Sequence, residues 1–294
     1  MKTVLITGAS GYLGHHLIDT LLNRNDTKVI GILGRPEDKA HMLPVKKNLV
    51  VYPCSALFDT NFGHVDTLIH TAFSRGENLP GLTRSIELSE QIVDLVNRQD
   101  IDSIINISSQ GIYKGLIPGQ RVKEDGYVEP NTSYGLAKWA VENIIEIGCK
   151  KKYTNIRMAS LSANARFLKF FVDCLLAGKD ITITAPKQYA SIMDVRDAVA
   201  GILSIDNLSI DKREKTYNLG PGVQYSILDF AKSVEEIGRS FTNNHIEIIV
   251  EDNGTDFAIC MDCSKLEEQT GWRPTIMKDE IIINLFNLNS IQHA

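Results

Sequence analysis

The sequence predicts an α/β fold in which a doubly wound parallel sheet is joined to a smaller C-terminal lobe. Short apolar runs alternate with segments of helical periodicity through the first 160 residues. These runs are continuous, as is typical of strands that are buried on both faces of a parallel sheet. A glycine-rich turn follows the first run and leads into a helical segment. The chain of 294 residues has room for one large domain with a small lobe.

Strands and helices alternate in order along the predicted sheet domain. The first helix is predicted from Leu13, Leu17 and Leu21, which are four residues apart and therefore share one helical face. Each strand is predicted from a short run rich in Val, Ile and Leu. The predicted strands are 4–6, 29–33, 49–52, 67–70, 103–108 and 155–159, and the predicted helices are 12–23, 86–98 and 133–147.

Beyond residue 160 this alternation loosens, which predicts the smaller lobe. Ser226 is a suitable N-cap with Asp229 three residues later, so a helix is predicted to begin there. The other predicted elements are helices over 167–177, 195–205 and the C-terminal end, and strands over 180–184, 217–220 and 246–250. We assign 1–160 and about 188–218 to the sheet domain, and 161–187 and 219–294 to the lobe.

Composition and charge argue against several classes of protein. The formal net charge is -5, so a general affinity for nucleic acid or an anionic membrane is not expected. No run approaches the ~18 apolar residues of a membrane span, and the N-terminus does not have the pattern of a signal peptide. Five scattered cysteines are typical of reduced thiols in a cytoplasmic protein. Cys260 and Cys263 form a lone C-x-x-C without further zinc ligands nearby, so no metal site is predicted.

The turn after the first strand predicts a dinucleotide site. Gly8, Gly11 and Gly14 give the spacing G-x-x-G-x-x-G between a strand and a helix. Glycine allows positive φ and a close approach of backbone to a diphosphate, and the helix N-terminus presents N–H groups to it. A glycine-rich turn without a ligand is the alternative, but the strand–turn–helix context favours the dinucleotide.

The end of the second strand bears on the choice between NAD and NADP. A carboxylate there would accept hydrogen bonds from the adenosine ribose of NAD, but none precedes Glu37. Arg35 lies in its place and could pair with the 2′-phosphate of NADP. This slightly favours NADP over NAD, with a solvated loop arginine as the alternative.

A tyrosine and a lysine at the start of the long helix are the candidate catalytic pair. Tyr134 and Lys138 are four residues apart and lie on one helical face. The lysine cation would favour the phenolate and bring the tyrosine pKa closer to neutral pH. Ser109 ends the fifth strand, where its hydroxyl could orient a substrate oxygen beside Tyr134. A purely structural tyrosine–lysine pair is the alternative.

Together these motifs resemble the extended short-chain dehydrogenase/reductases, specifically the NAD(P)-dependent nucleotide-sugar epimerases, dehydratases and ketoreductases. The resemblance covers nearly the whole chain and implies a Rossmann-type fold. Its segments are Thr7–Gly14, His70–Ala72, Ser108–Tyr113, the series Glu124, Pro130, Tyr134, Lys138 and Glu142, then Ile192–Asp197, Tyr217–Gly220, Asp262–Lys265 and Gly271–Pro274.

The resemblance implies a role for each matched residue. Ser109 and Tyr134 would activate substrate and transfer a proton, and Lys138 would hold the nicotinamide ribose and tune Tyr134. The implied cofactor contacts are Gly8, Ser10, Gly11, Tyr12, Leu13, Gly14, Arg35, Ser55, Ala56, His70, Thr71, Ala72, Ser108, Tyr134 and Lys138. The implied substrate contacts are Phe73, Ser109, Ser160 and Lys187.

Several positions depart from the family pattern. Ser160 lies where asparagine is frequent, and Lys187 lies where many relatives have an arginine for the diphosphate of the substrate. Carboxylates at 251, 252 and 256 lie near the place of a second such arginine. Ser55 replaces a frequent adenine-contacting aspartate. Gln110 and Gly111 follow Ser109 where dehydratases usually have an acidic pair, which disfavours elimination of water.

The predicted function is therefore an epimerase or a 4-ketoreductase that acts on a nucleotide-diphosphate sugar. An NADP-dependent reductase of a non-nucleotide carbonyl is the first alternative, and a non-catalytic dinucleotide-binding protein is the second. The helix at 133–147 is apolar nearly all round, with Trp139, Val141, Ile144 and Ile145, which is compatible with burial against the sheet or with a homodimer.

Overall fold

The computed structural model describes residues 1–34, 43–74, 78–251, 253–254 and 257–292, and for 289–292 it describes the backbone alone. The contacts between residues divide the chain into two compact units. The first contains Met1–Ile112, Val128–Met158 and Val199–Tyr217, and the second contains Tyr113–Tyr127, Ala159–Ala198 and Asn218–Ala294. Residues 113–127 and 188–198 thus group with the second unit, whereas we assigned them to the sheet domain from the sequence. Both stretches are separated along the chain from the strands of the sheet, so their sequence position did not reveal their contacts.

The strands of the structure agree closely with those predicted, and four two-residue strands are additional. The strands are β1 (Lys2–Thr7), β2 (Thr27–Ile32), β3 (Leu49–Tyr52), β4 (Thr67–His70), β5 (Ser103–Ser109), β6 (Lys152–Met158), β7 (Ser160–Leu161), β8 (Ile181–Ile183), β9 (Tyr189–Ala190), β10 (Ile192–Met193), β11 (Thr216–Leu219), β12 (Tyr225–Ser226) and β13 (Ile248–Val250).

The helices likewise follow the prediction in order and in type. They are α1 (Tyr12–Leu22), α2 (Leu79–Arg98), α3 (Ser133–Gly148), α4 (Arg166–Leu176), α5 (Val195–Asp206), α6 (Ile227–Gly238), α7 (Ser264–Thr270) and α8 (Lys278–Gln292). Among the described residues, no helix is long and apolar enough to cross a membrane.

The central sheet confirms the predicted Rossmann-type fold. Its seven strands have the order β11-β6-β5-β4-β1-β2-β3. β1 to β6 pair in parallel with their neighbours in this order. Thr7 at the end of β1 is in register with Ile32 and His70, so the carboxyl ends of these strands meet at one edge. Loops that leave this edge form the ligand sites of doubly wound sheets.

Most of the continuous apolar runs become buried strands because helices cover the sheet, whereas β3 at the edge of the sheet is only partly buried. Val4, Leu5 and Ile6 of β1 have no exposed surface. One core cluster combines strand residues with Ile92 and Val96 of α2 and with residues of α3. Burial of such side chains contributes about 1.5–3 kcal/mol each, which is why this pattern predicted the sheet correctly.

Helix α2 begins seven residues earlier than the predicted start at residue 86. Pro80 and Gly81, which precede the predicted start, lie in its first turn. Proline is tolerated there because the first N–H groups of a helix lack intrahelical partners. A Cβ on Gly81 would lie 2.4 Å from Oγ of Ser74, so the close packing of this turn requires glycine.

The second unit has its own core, built around α4, α6 and α8. The predicted capping box at the start of α6 is confirmed, because the Ser226 side chain accepts from the Asp229 amide and the Asp229 carboxylate accepts from the Ser226 amide. Asp197 fixes the C-terminal segment by accepting hydrogen bonds from the amides of Thr275 and Ile276 at 2.9 and 2.8 Å.

The two cysteines of the C-x-x-C motif lie in the second unit as free thiols. Cys260 is buried, and Cys263 precedes helix α7. Burial raises the pKa of the Cys263 thiol to about 12, against a lowering contribution from the Gly220 backbone. A thiol of such high pKa is protonated at neutral pH and is a poor nucleophile.

Candidate active site

The glycine turn lies between β1 and α1, at the carboxyl edge of the sheet. Gly8 has φ +72°, a left-handed conformation that favours glycine. The next residue, Ala9, is fixed to the sheet, because its amide donates a hydrogen bond to the Ile32 carbonyl at 2.9 Å. Ser10 accepts a hydrogen bond from the Gly34 amide. Leu13 and Gly14 are buried, whereas Tyr12 is partly exposed and packs edge-on against His16.

The backbone of this turn fits a diphosphate because side chains are excluded from it. A Cβ on Gly14 would lie 2.2 Å from the Gly8 carbonyl oxygen, and a Cβ on Gly8 would lie 2.9 Å from the Ala72 amide nitrogen. Helix α1 begins directly after the turn. Its N-cap is Gly11, which has no side chain that could cap the first amides of the helix. Its N-terminal N–H groups and helix dipole suit an anionic group.

The predicted adenine contacts lie at the same edge of the sheet. Ser55 and Ala56 form a single 3-10 turn, Cys54–Ala56, directly after β3. Arg35, on which the preference for NADP was based, lies outside the described residues. The choice between NAD and NADP therefore stays a prediction.

His70, predicted to contact the cofactor, is enclosed in a network of hydroxyl groups. It ends β4 and is 2 % exposed. Thr7 Oγ1 lies 2.7 Å from His70 Nδ1, and Ser89 Oγ lies 3.0 Å from His70 Nε2. Ser89 donates its own proton to the Ser85 carbonyl at 2.7 Å, so it accepts from Nε2–H of the histidine. We assign this tautomer from the network, with Nδ1 accepting from Thr7.

The network connects the glycine turn to the end of β4, and a contact of His70 with the cofactor stays a prediction. It joins the last residue of β1 to the last residue of β4 and to helix α2. Thr71 adds a hydrogen bond from its hydroxyl to the Thr7 carbonyl at 2.7 Å. The positions of Thr71 and Ala72 follow from these bonds, and Ala72 in turn packs against Gly8.

The neutral state of His70 makes the stability of the fold depend on pH. Burial, and secondarily the Lys138 charge, lower the pKa of His70 from 6.5 to about 3. The unfolded chain therefore binds a proton between pH 6.5 and 3 that the folded chain does not, and stability falls as pH falls. We expect a loss of about 2 kcal/mol in the free energy of unfolding between pH 7 and pH 5 from this residue.

Urea unfolding of the wild type and of His70→Asn at both pH values checks this expectation. The difference between pH 7 and pH 5 should shrink in His70→Asn because the titrating group is gone. His245→Asn, at an exposed histidine, should keep the wild-type difference. An equal pH dependence in His70→Asn and wild type would contradict a buried, neutral His70.

Helix α3 places the predicted catalytic pair beside the end of β5. Thr132 is its N-cap, with the hydroxyl accepting from the Gly135 amide at 3.0 Å. A Cβ on Gly135 would lie 2.3 Å from the carbonyl oxygen of Gly111, so the first turn of the helix packs directly on the segment after Ser109. This close approach brings the helix start that carries Tyr134 next to the serine segment.

Lys138 is buried, and its ammonium lies between a carbonyl and an aromatic ring. The residue is 4 % exposed. Nζ donates to the Ile107 carbonyl at 2.7 Å and lies 3.8 Å from the ring centroid of Phe73. The same Nζ is 5.9 Å from the ring centroid of Tyr134. Phe73 and Tyr134 pack edge-to-face with their centroids 5.8 Å apart. The structure thus brings these three predicted residues together.

The two serines at the end of β5 have different surroundings. Ser109 Oγ accepts a hydrogen bond from the Gly111 amide at 3.1 Å. Ser108 is 2 % exposed, and its hydroxyl has no hydrogen-bond partner among the described residues. Both lie at the carboxyl edge of the sheet, as predicted, because β5 runs parallel to β4 and β6.

The other two predicted substrate contacts belong to the second unit. Ser160 begins β7, which pairs in parallel with β10, and its side chain is exposed. Lys187 lies on the exposed loop between β8 and β9. Their roles stay predictions.

Sequence reasoning missed the side chains that support the site from behind. Ser85 and Ser89 are spaced four residues apart on the face of α2 that meets β4, a signal that was open to detection. Glu142 was noticed only as a family position, yet it forms a buried ion pair with Arg157 between α3 and β6, with an N–O distance of 2.9 Å. That pair fixes the helix that carries Lys138 to the sheet.

Comparison with protein families agrees with this geometry. The model of the "NAD dependent epimerase/dehydratase family" matches residues 4–220. The chain belongs to the NAD-dependent epimerase/dehydratase family. The match includes the glycine turn, the His70 segment, the end of β5 and the tyrosine–lysine pair, so the resemblance noted in the sequence is confirmed at the level of the family.

Individual relatives of this family member are distant but collinear with it. A putative UDP-glucose 4-epimerase of Methanocaldococcus jannaschii is 24% identical, with 97% of each chain covered. A dTDP-glucose 4,6-dehydratase of Streptomyces antibioticus is 23% identical over 92% of this chain and 87% of its own. The structure of Bacillus cereus UDP-glucuronic acid 4-epimerase, in complex with UDP-glucuronic acid and NAD, has a TM-score of 0.82 at 19% identity and 99% coverage of both chains.

Proposed function

We propose that this family member is an NAD(P)-dependent 4-epimerase of a nucleotide-diphosphate hexose, most simply a UDP-sugar. The observation that carries the proposal is the buried ammonium of Lys138 beside Tyr134, at the sheet edge that also holds the glycine turn. The names of the relatives support the substrate class, since they include UDP-sugar 4-epimerases of equal length.

Different residues of the site transfer the proton, orient the substrate and bind the dinucleotide. A bound NAD(P) would supply the hydride acceptor and donor for the sugar C4, and epimerisation would require the 4-keto sugar to present its other face before the hydride returns. Tyr134 accepts the proton of the C4 hydroxyl and later gives it back, because the nearby Lys138 cation favours its phenolate. Ser109 orients the reacting oxygen toward Tyr134. The glycine turn holds the dinucleotide diphosphate through backbone N–H groups and the N-terminus of α1.

Two other reaction types are separable from epimerisation. Elimination of water is disfavoured because Gln110 and Gly111 follow Ser109, and neither can act as a base. A single reduction of a 4-keto sugar, or of a non-nucleotide ketone, would consume one NAD(P)H per turnover. An epimerase consumes none, so the cofactor balance distinguishes the two.

The experiment is to incubate the protein separately with UDP-glucose, UDP-N-acetylglucosamine and UDP-glucuronic acid, with NAD⁺ and NADP⁺ in turn. The appearance of the C4 epimer by proton NMR, without net change in dinucleotide absorbance, would support the proposal. Oxidation of NAD(P)H by a keto substrate with no epimer formed would replace it by the reductase. Denaturing the purified protein and weighing any released dinucleotide by mass spectrometry tests the predicted preference for NADP.

Lys187 provides a test of the substrate class. If it pairs with the substrate diphosphate, Lys187→Ala should raise KM for a UDP-sugar about tenfold and leave kcat nearly unchanged, because one exposed charge contact is lost equally in ground and transition states. Lys179→Ala, at another exposed lysine of the second unit, is the matched control. An unchanged KM would remove Lys187 from the proposed site.

Association of two copies through α2 and α3 stays a prediction. Leu136 and Ile147 of α3 are 55% and 85% exposed, and Leu79 at the start of α2 is 64% exposed. Exposed apolar side chains on neighbouring helices would suit a self-complementary interface.

A further inference from the structure

We propose that Phe73 is the positioning residue for Lys138, whose ammonium it holds beside Tyr134 through the face of its ring. The expected effect on catalysis rests on the proposed function. The contact between the Phe73 ring and the Lys138 ammonium does not, because it involves only side chains of the protein.

The geometry is that of a cation–π contact in a desolvated place. Lys138 Nζ lies 3.8 Å from the Phe73 ring centroid, well inside the ~6 Å within which the negative face of the ring attracts a cation. Lys138 is 4 % exposed, so water contributes little to its solvation. The Ile107 carbonyl accepts one of its three N–H groups. The ring face therefore supplies part of the stabilisation that a buried ammonium requires.

Phe73 itself is held in place from two sides. It packs against the core cluster of the sheet and edge-on against the ring of Tyr134, with the two planes at 88°. It also follows Thr71 and Ala72 directly, and these are fixed to the glycine turn by the Thr71–Thr7 hydrogen bond and by the packing of Ala72 on Gly8. The ring thus connects the backbone of the proposed cofactor turn to the proposed proton-transfer pair.

The charged and titratable groups near Phe73 indicate which group its ring affects. Tyr134 and Lys138 come from α3, and His70 comes from β4 as a neutral imidazole. Glu142, one turn beyond Lys138 on α3, is engaged by Arg157. The ammonium is therefore the charge that Phe73 controls, and its distance from the phenol of Tyr134 decides how strongly phenolate is favoured.

The test measures the ionisation of Tyr134 directly. The chain contains nine tyrosines, so the tyrosinate absorbance of each protein is compared with that of its Tyr134→Phe counterpart during a pH titration with NAD⁺ present. We expect Phe73→Leu to raise the apparent pKa of Tyr134 by about one unit and to lower kcat at pH 7 about tenfold, because the cation loses its site. Phe73→Tyr retains an aromatic face, so the apparent pKa of Tyr134 in this variant should stay close to its wild-type value.

Fluorinated phenylalanines at position 73 separate charge from shape. Successive fluorine atoms weaken the negative ring face while the side chain keeps nearly the same size, so the apparent pKa of Tyr134 should rise stepwise with the number of fluorines. Phe62→Leu is the matched control, because Phe62 forms a similar edge-to-face pair with Tyr52, at 5.5 Å and 80°. That variant should leave the Tyr134 titration unchanged.

The outcomes distinguish this inference from the proposed function. A titration that is insensitive to fluorination, or that does not move in Phe73→Leu, overturns the positioning role even if the enzyme epimerises UDP-sugars normally. A titration that follows fluorination, in a protein that converts no nucleotide sugar, supports the positioning role and refutes the proposed function alone.

Discussion

Replacement of Tyr134 by phenylalanine is expected to lower kcat for epimerisation by about 10²–10⁴-fold, while the Kd for NAD stays within about twofold. The phenol oxygen is the proposed proton acceptor, and no neighbouring residue replaces it in our assignment. The ring remains, so its edge-to-face packing with Phe73 at 5.8 Å is retained and the fold should be unaffected. Epimer formation by NMR and NAD binding by calorimetry measure the two effects separately.

Tyr127→Phe is the control for this substitution, because Tyr127 is 71% exposed and lies in the second unit. It should retain wild-type kcat. Full turnover in Tyr134→Phe would refute the proton-transfer assignment, whereas an equal loss of NAD binding would indicate a structural role for the phenol hydroxyl.

Replacement of Asp206 by alanine is expected to lower the free energy of unfolding by about 3–5 kcal/mol, the largest effect on stability that we foresee. The Asp206 side chain is fully buried and pairs with Arg213 at 3.3 Å and with Lys2 at 2.7 Å. Arg213 also donates to Ser103 at the start of β5. The ion pair thereby joins the end of α5 to the amino-terminal edge of the sheet. Without Asp206, the buried Arg213 would lack its counter-charge.

Urea unfolding at pH 7 measures this loss. Glu146→Ala is the control, because its ion pair with Lys215 is exposed and should contribute far less to stability. The double variant Asp206→Leu with Arg213→Met should recover much of the stability, since the cost arises from an uncompensated charge rather than from the missing bond. A similar loss in the double variant and in Asp206→Ala would contradict that reason.

The sequence predicted the sheet well because its signal is local. A run such as Val4–Ile6 is apolar at every position, as is typical of a strand covered on both faces, and the glycine spacing after it indicated where the following helix begins. The capping box of Ser226 and Asp229 was equally visible, since both partners lie within four residues. The start of α2 was predicted too late, because Pro80 is tolerated in a first helical turn and the close approach of Gly81 to Ser74 is not visible in the sequence.

The surroundings of His70 show what the sequence does not reveal. The resemblance assigned this histidine to the cofactor, which stays a prediction, and the structure adds that its two ring nitrogens are engaged by Thr7 and Ser89. These residues are 63 and 19 positions away along the chain. Nothing in a local pattern indicates which distant hydroxyl meets which nitrogen.

The sequence by itself determined the fold class and the family, because each depends on spacings of a few residues, and it pointed to the tyrosine–lysine pair whose catalytic role stays a proposal. Only the tertiary structure decided that Phe73 lies under the Lys138 ammonium, that His70 is neutral and supportive, and that Asp206 neutralises Arg213. These properties depend on burial and on contacts between residues far apart in the chain, and the electrostatic energy of a group is set by that surrounding rather than by its neighbours in sequence.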